Sequence, residues 1–222
     1  MTRTEKLLAE LIALPSVNPA FATQGMTGTA RRAVRTDARA ARPYLRYGEK
    51  NVADFLASVA RHAGLEVEFQ KVLPGRSNLI ARLRPPGKIR RTILLAPHLD
   101  TVGAGEPQFI PRIRSGRLHG RGACDTKGSA AAMLTALCEL ANAKSRPRET
   151  EIIFAGLVDE EHAQAGSRVL AASRFKADLA IVGEPTRLQV VTAHKGSLWL
   201  ELETRGKAAH GATPQLGQNA VH

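Results

Sequence analysis

Histidine and carboxylate side chains recur where apolar runs stop. In order they are Pro97-His98-Leu99-Asp100, Gly122-Ala123-Cys124-Asp125, Val158-Asp159-Glu160-Glu161 and Gly183-Glu184-Pro185. The runs Thr92–Ala96, Glu151–Val158 and Leu179–Val182 read as buried strands. In a parallel α/β sheet, strand ends that converge on one crevice are where sites are built. Carboxylates gathered in such a low-dielectric crevice repel one another unless cations sit between them. A cluster of metal ions is the simple remedy.

Five stretches in this order resemble the M20 metallopeptidases. They are His98-x-Asp100, Asp125 with Thr126-Lys127-Gly128, Asp159-Glu160-Glu161, Gly183-Glu184-Pro185-Thr186, and Ala209-His210-Gly211-Ala212-Thr213-Pro214. That group includes acetylornithine deacetylase, succinyl-diaminopimelate desuccinylase, aminoacylase and the glutamate carboxypeptidases. The likeness covers nearly the whole chain except about 22–47. It implies that His98, Asp125 and Glu184 hold one metal ion and that Asp125 bridges to a second, held also by Glu161. Asp100 would orient His98, and Glu160 would be the general base. His210, on a lid, would stabilise the oxyanion in the active site of a partner subunit. The Asp125–Thr126 peptide is expected to be cis.

Ligands of oxygen and nitrogen without thiolate suit Zn2+ first, with Co2+ or Mn2+ next. Two divalent cations against Asp125, Glu161 and Glu184 leave one positive charge, which a bridging hydroxide would neutralise. The implied reaction is hydrolysis of an N-acyl amino acid or dipeptide bond. The Ala193-His194-Lys195-Gly196 turn leans toward the deacetylase and desuccinylase branch. The family pattern has one further histidine, near the end of a longer chain. None of His62, His119, His162, His194 or His222 sits in a matching motif, so weak or absent activity is expected of these 222 residues. A homodimer through the lid is expected of a full-length protein.

Plainer readings stand beside these. Asp125 could cap the helix that starts near Lys127, Glu160 and Glu161 could be a solvated pair, and His210 a loop histidine. Cys124 reads as a small buried thiol rather than a ligand. Other functions are a fragment that holds a single metal without turnover, or a different co-catalytic zinc aminopeptidase, which the His210 motif disfavours. A third is a basic nucleic-acid binder through Arg31–Arg46.

The formal net charge is +12, but much of it is local: from Arg31 to Lys50 seven cations face only Asp37 and Glu49. Few aromatics and no helix-turn-helix or zinc-finger spacing argue against nucleic acid. No signal peptide or membrane-length run is visible, and two cysteines suggest reduced thiols, so the cytoplasm is the expected compartment.

The elements that must position the site follow from periodicity. Helices are expected over Thr4–Leu14, Glu49–Ala63, Lys127–Ala141 and Gly166–Ser173. Strands are expected over Leu65–Val72, Asn78–Leu83, Thr92–Ala96, Glu151–Leu157 and Leu179–Val182. Residues 22–47 look inserted, Ala- and Arg-rich without an apolar period. The texture changes after Pro185. Leu188–Ala193 and Leu198–Thr204 alternate and read as an antiparallel pair with one wet side. The fold class is therefore α/β: a zinc-peptidase-like mixed sheet flanked by helices over 1–186, then an incomplete α+β lid or dimerisation domain over 187–222.

Overall fold

The computed structural model describes residues 1–21, 48–196, 198, 200 and 202–221. The inserted segment 22–47 lies outside them, as do Ser197, Trp199, Glu201 and His222. The described chain divides into two compact units, Met1–Pro185 and Thr186–His222.

The first unit opens with α1 (Arg3–Ala13). Thr2 and Glu5 close its start reciprocally: Glu5 N donates to Thr2 Oγ1 at 3.2 Å and Thr2 N to Glu5 Oε2 at 2.7 Å. Pro15 follows the end of α1, where a missing N–H cannot continue the ladder. Helix α2 (Lys50–His62) buries Val52, Leu56 and the alanines between and beyond them. Gly64, at φ 78°, lets the chain turn off that helix.

Then come β1 (Glu66–Leu73), β2 (Arg76–Leu83), β3 (Arg91–Ala96) and a small hairpin of β4 (Arg112–Arg114) and β5 (Arg117–His119). Helix α3 (Lys127–Ala141), β6 (Thr150–Gly156), α4 (Ala165–Ala172) and β7 (Leu179–Val182) complete the unit. The main sheet has the order β1-β2-β6-β3-β7. Strands β6, β3 and β7 run parallel, while β1–β2 and β2–β6 are antiparallel. The sheet is mixed, as expected.

Alternate residues of β2, β3 and β6 enter opposite cores. Leu79, Ala81, Ile152 and Phe154 meet α1, α2 and α3 through Leu11, Leu56 and Leu134. Ile80, Leu94, Ile153 and Ala155 lie with Leu170 of α4. Burial on both faces explains why β6 reads as a continuous apolar run.

Strand β7 departs from expectation. It was expected to be buried, yet Leu179 is 53% exposed and Val182 62% exposed. Among the described residues its sheet neighbour is β3 alone, so it forms the edge.

The second unit also differs from its expected form. No antiparallel pair forms over Leu188–Ala193 and Leu198–Thr204 among the described residues. Leu188, Leu198, Leu200 and Leu202 are all exposed. A two-stranded ribbon is marginal without a layer to bury its apolar face. What forms instead is one bridge between Lys207 and Gln218, with N–H to O bonds of 2.9 Å in both directions, and a turn at Pro214–Leu216.

Candidate metal centre

Four chain segments leave the sheet and α3 at one crevice. His98 follows β3 and is bridged to Leu157 beyond β6; Leu99 N donates to Leu157 O at 2.8 Å and Leu157 N to Pro97 O at 2.9 Å. Gly183 and Glu184 follow β7. Thr126 Oγ1 donates to Gly183 O at 2.6 Å, which ties the start of α3 to that strand end. A Cβ on Gly183 would lie 2.5 Å from Ser129 Cβ, so glycine permits this close approach. Lys127 is buried, and its Nζ donates to Leu11 O at 2.8 Å and Leu14 O at 2.7 Å at the end of α1. Burial pushes that amine down to about 7.

The ligand atoms converge. One atom each from His98, Asp125 and Glu161 lies within 4.8 Å of the others, close enough for one ion to gather. His98 Nε2 is 2.9 Å from Asp125 Oδ1 and 4.0 Å from Glu184 Oε1. The other ring nitrogen, Nδ1, is 3.0 Å from Asp100 O and 3.4 Å from Asp100 Oδ1. A proton on Nδ1 held by Asp100 leaves the Nε2 lone pair for a metal.

The electrostatics show a cluster short of positive charge. Burial pulls His98 down, but Asp100 and Asp125, with the charge of Glu184 nearby, push its pKa up to about 11. Burial pushes Glu184 up to about 7, against the pull of His98 and with the charges of Glu160, Asp125 and Glu161 adding. Glu161 is raised by burial and then by Asp125. The hydrogen bond with His98 holds Asp125 below the ordinary carboxylate range, against its own burial. Burial would raise Asp100, yet His98 and Asn18 hold it low. A divalent cation held by His98, Asp125 and Glu161 would supply the missing charge, and the oxygen and nitrogen donor set fits one.

The sequence-derived candidates are thus mostly together. His98, Asp125, Glu161 and Glu184 meet, and Asp100 is buried beneath the His98 ring. Glu160 donates its N–H to Asp100 Oδ1 at 3.1 Å. The Asp125–Thr126 peptide is cis, as the resemblance implied. Asp125 does not cap α3; the cap position is Thr126, whose side chain bonds Gly183 O rather than the helix start, and Asp125 faces His98. Cys124 is exposed, contrary to the expected buried thiol, while Cys138 is buried on the inner face of α3. His210 lies in the second unit, exposed, and its Nδ1 accepts from Ala212 N at 3.2 Å.

The sequence gives no site role to Asn18, Glu49 or Arg76, and Asp159 enters only as the first member of the Asp159-Glu160-Glu161 run. All four join one buried hydrogen-bonded group behind the crevice. Two signals pointed there. Arg76 and Asn78 are polar residues at alternate positions of a strand that continues as Leu79-Ile80-Ala81, and Asn18 is a polar residue between Val17 and Pro19.

Fold and site together define a mixed α/β sheet that gathers nitrogen and oxygen donors suited to a metal ion at one crevice. The chain belongs to peptidase family M20/M25/M40, whose model matches residues 94–216. It is 33% identical over 181 residues to a probable succinyl-diaminopimelate desuccinylase of Staphylococcus epidermidis, covering 78% of this chain and 44% of that one. It is 36% identical over 182 residues to the acetylornithine deacetylase of Photorhabdus laumondii, covering 78% and 45%. The chain therefore spans less than half the length of these curated relatives. A crystal structure of a tripeptidase from Staphylococcus aureus shares the fold, with a TM-score of 0.62 at 18% identity over 99% of this chain and 53% of that one.

Proposed function

We propose that this chain carries the metal-holding part of an M20 amide hydrolase acting on an N-acyl amino acid or a dipeptide. The carrying observation is the convergence of His98, Asp125 and Glu161, with Glu184 Oε1 4.0 Å from His98 Nε2. His98, Asp125 and Glu184 would hold one Zn2+, and Asp125 with Glu161 would contribute to a second; Co2+ or Mn2+ suits the same donors. When bound, such ions polarise the scissile carbonyl and acidify water.

The remaining work falls to the chain. Asp100 keeps the Nδ1 proton of His98 in place, so Nε2 stays a donor to metal. Glu160 takes a proton from the attacking water and returns it to the leaving nitrogen, a transfer that a carboxylate at the rim of the cluster can perform. His210 would donate to the oxyanion from a lid formed with 187–222, in a homodimer. The acyl group is read as acetyl or succinyl because relatives carry those names. The two free cysteines suit a reducing compartment such as the cytoplasm. Among the described residues no helix is long and apolar enough to cross a membrane.

Zinc titration of the purified chain by calorimetry tests the reading. The expected result is at least one tight ion per chain, lost in His98→Ala. Equal binding by wild type and His98→Ala would overturn it. With zinc bound, hydrolysis of N-acetylated and N-succinylated amino acids then ranks the substrates.

A further inference from the structure

Three carboxylates lie almost wholly buried behind the metal centre: Glu49 and Asp100 at 1% exposure and Asp159 at 2%. A buried carboxylate is costly unless paired and fully hydrogen-bonded. Two side chains answer that need. Arg76 donates through Nε to Glu49 Oε2 at 2.9 Å, through Nη2 to Glu49 Oε1, and through Nη1 to Asp159 Oδ1 at 3.0 Å. Asn18 Nδ2 donates to Asp100 Oδ2 at 2.7 Å and to Asp159 Oδ1 at 3.0 Å.

The same carboxylates grip the backbone after β6. Asp159 N donates to Glu49 Oε1 at 3.2 Å, Glu160 N to Asp100 Oδ1 at 3.1 Å, and Glu161 N to Asp100 Oδ2 at 3.1 Å. Three successive N–H groups therefore end on carboxylates that Asn18 and Arg76 hold. Asp159 itself adopts φ 68°, a left-handed conformation that only a few non-glycine residues visit and that the surroundings must support. That reversal turns the Asp159 side chain into the protein while the chain runs on into Glu160 and Glu161.

We propose that Asn18 and Arg76 are positioning residues for Glu160 and Glu161, acting through Asp100, Asp159 and Glu49. This rests on the reading of Glu161 as a metal ligand and Glu160 as the base. The guanidinium fork matters as well as its charge. One planar group spans two carboxylates, which a lysine ammonium does as a point charge without the fixed geometry.

The test uses the whole 222-residue chain, with Asn18→Ala, Arg76→Lys and a control, Arg82→Lys. Arg82 pairs with Glu68 and Glu151, away from the network of Asn18 and Arg76. Cobalt(II) affinity by calorimetry and the visible absorption of bound cobalt are read beside metal-free thermal unfolding. Asn18→Ala and Arg76→Lys are expected to fold, to bind cobalt about 10–100-fold more weakly, and to change its absorption bands. Arg82→Lys is expected to leave affinity and bands unchanged. Folded variants with wild-type affinity and bands would overturn the proposal. If Arg76→Lys fails to fold, the milder Asn18→Ala decides; failure of both to fold would assign these residues to stability alone and overturn it too. A wild-type chain that binds no cobalt removes the metal reading itself, a result distinct from variants that bind like wild type.

Discussion

The two units of this chain respond differently to the same kind of sequence pattern. In Met1–Pro185, alternating apolar residues become β2, β3 and β6 because helices cover both faces of the sheet. In Thr186–His222, the alternation of Leu198, Leu200 and Leu202 yields exposed leucines and no strand among the described residues. Periodicity marks a face, but burial of that face needs a second layer. The contrast extends to polar groups. The first unit buries Glu49, Asp100 and Asp159 only because Arg76, Asn18 and backbone N–H groups meet them, whereas His210 of the second unit stays on the surface.

That comparison can be broken or sharpened by measurement. The largest effect belongs to the two-faced core: Phe154→Ala removes a fully buried ring and should cost about 3–5 kcal/mol in urea unfolding. A loss near zero would deny that β6 is the centre of a packed sheet. Next, His98→Ala should weaken zinc binding at least about a hundredfold, while His210→Ala should leave it within about twofold. Equal losses would place the ion elsewhere.

The pH dependence of the metal-free chain is a third. The folded pKa of His98, about 11, lies above its ordinary value of 6.5. The stability it contributes is therefore complete below pH 6.5 and is lost as pH rises toward 11. Between those limits, wild type in a chelator should lose up to about 1.4 kcal/mol per pH unit relative to His98→Ala. A gap that stays constant with pH would show that the carboxylates do not protonate that ring. The smallest effect is expected in the second unit, where Leu200→Ser should change stability by no more than about 0.5 kcal/mol.

Much of the first unit was readable in the chain because its signals are local. Strand ends were marked by the switch from β-branched runs to His98, Asp159 and Gly183, and α2 by its apolar stripe and Gly64. The candidate ligands were readable because their motifs are short and ordered. The exposure of β7 was not, since an apolar run of four residues is the same text for a central strand and for an edge. The network behind the site escaped for another reason. Asn18 and Asp159 are 141 positions apart in sequence, and no local pattern links Glu49 to Arg76. In sequence Asp125 is ambiguous between a helix cap and a ligand; the fold gives the cap position to Thr126 and sets Asp125 Oδ1 2.9 Å from His98 Nε2.

The most direct measurement is a zinc-soaked crystal of this chain, with anomalous scattering recorded at the zinc edge. The account predicts a peak about 2.0–2.2 Å from His98 Nε2 and from a carboxylate oxygen of Asp125, with Glu184 completing the set. A peak held by other residues, or none in a folded crystal, would contradict it.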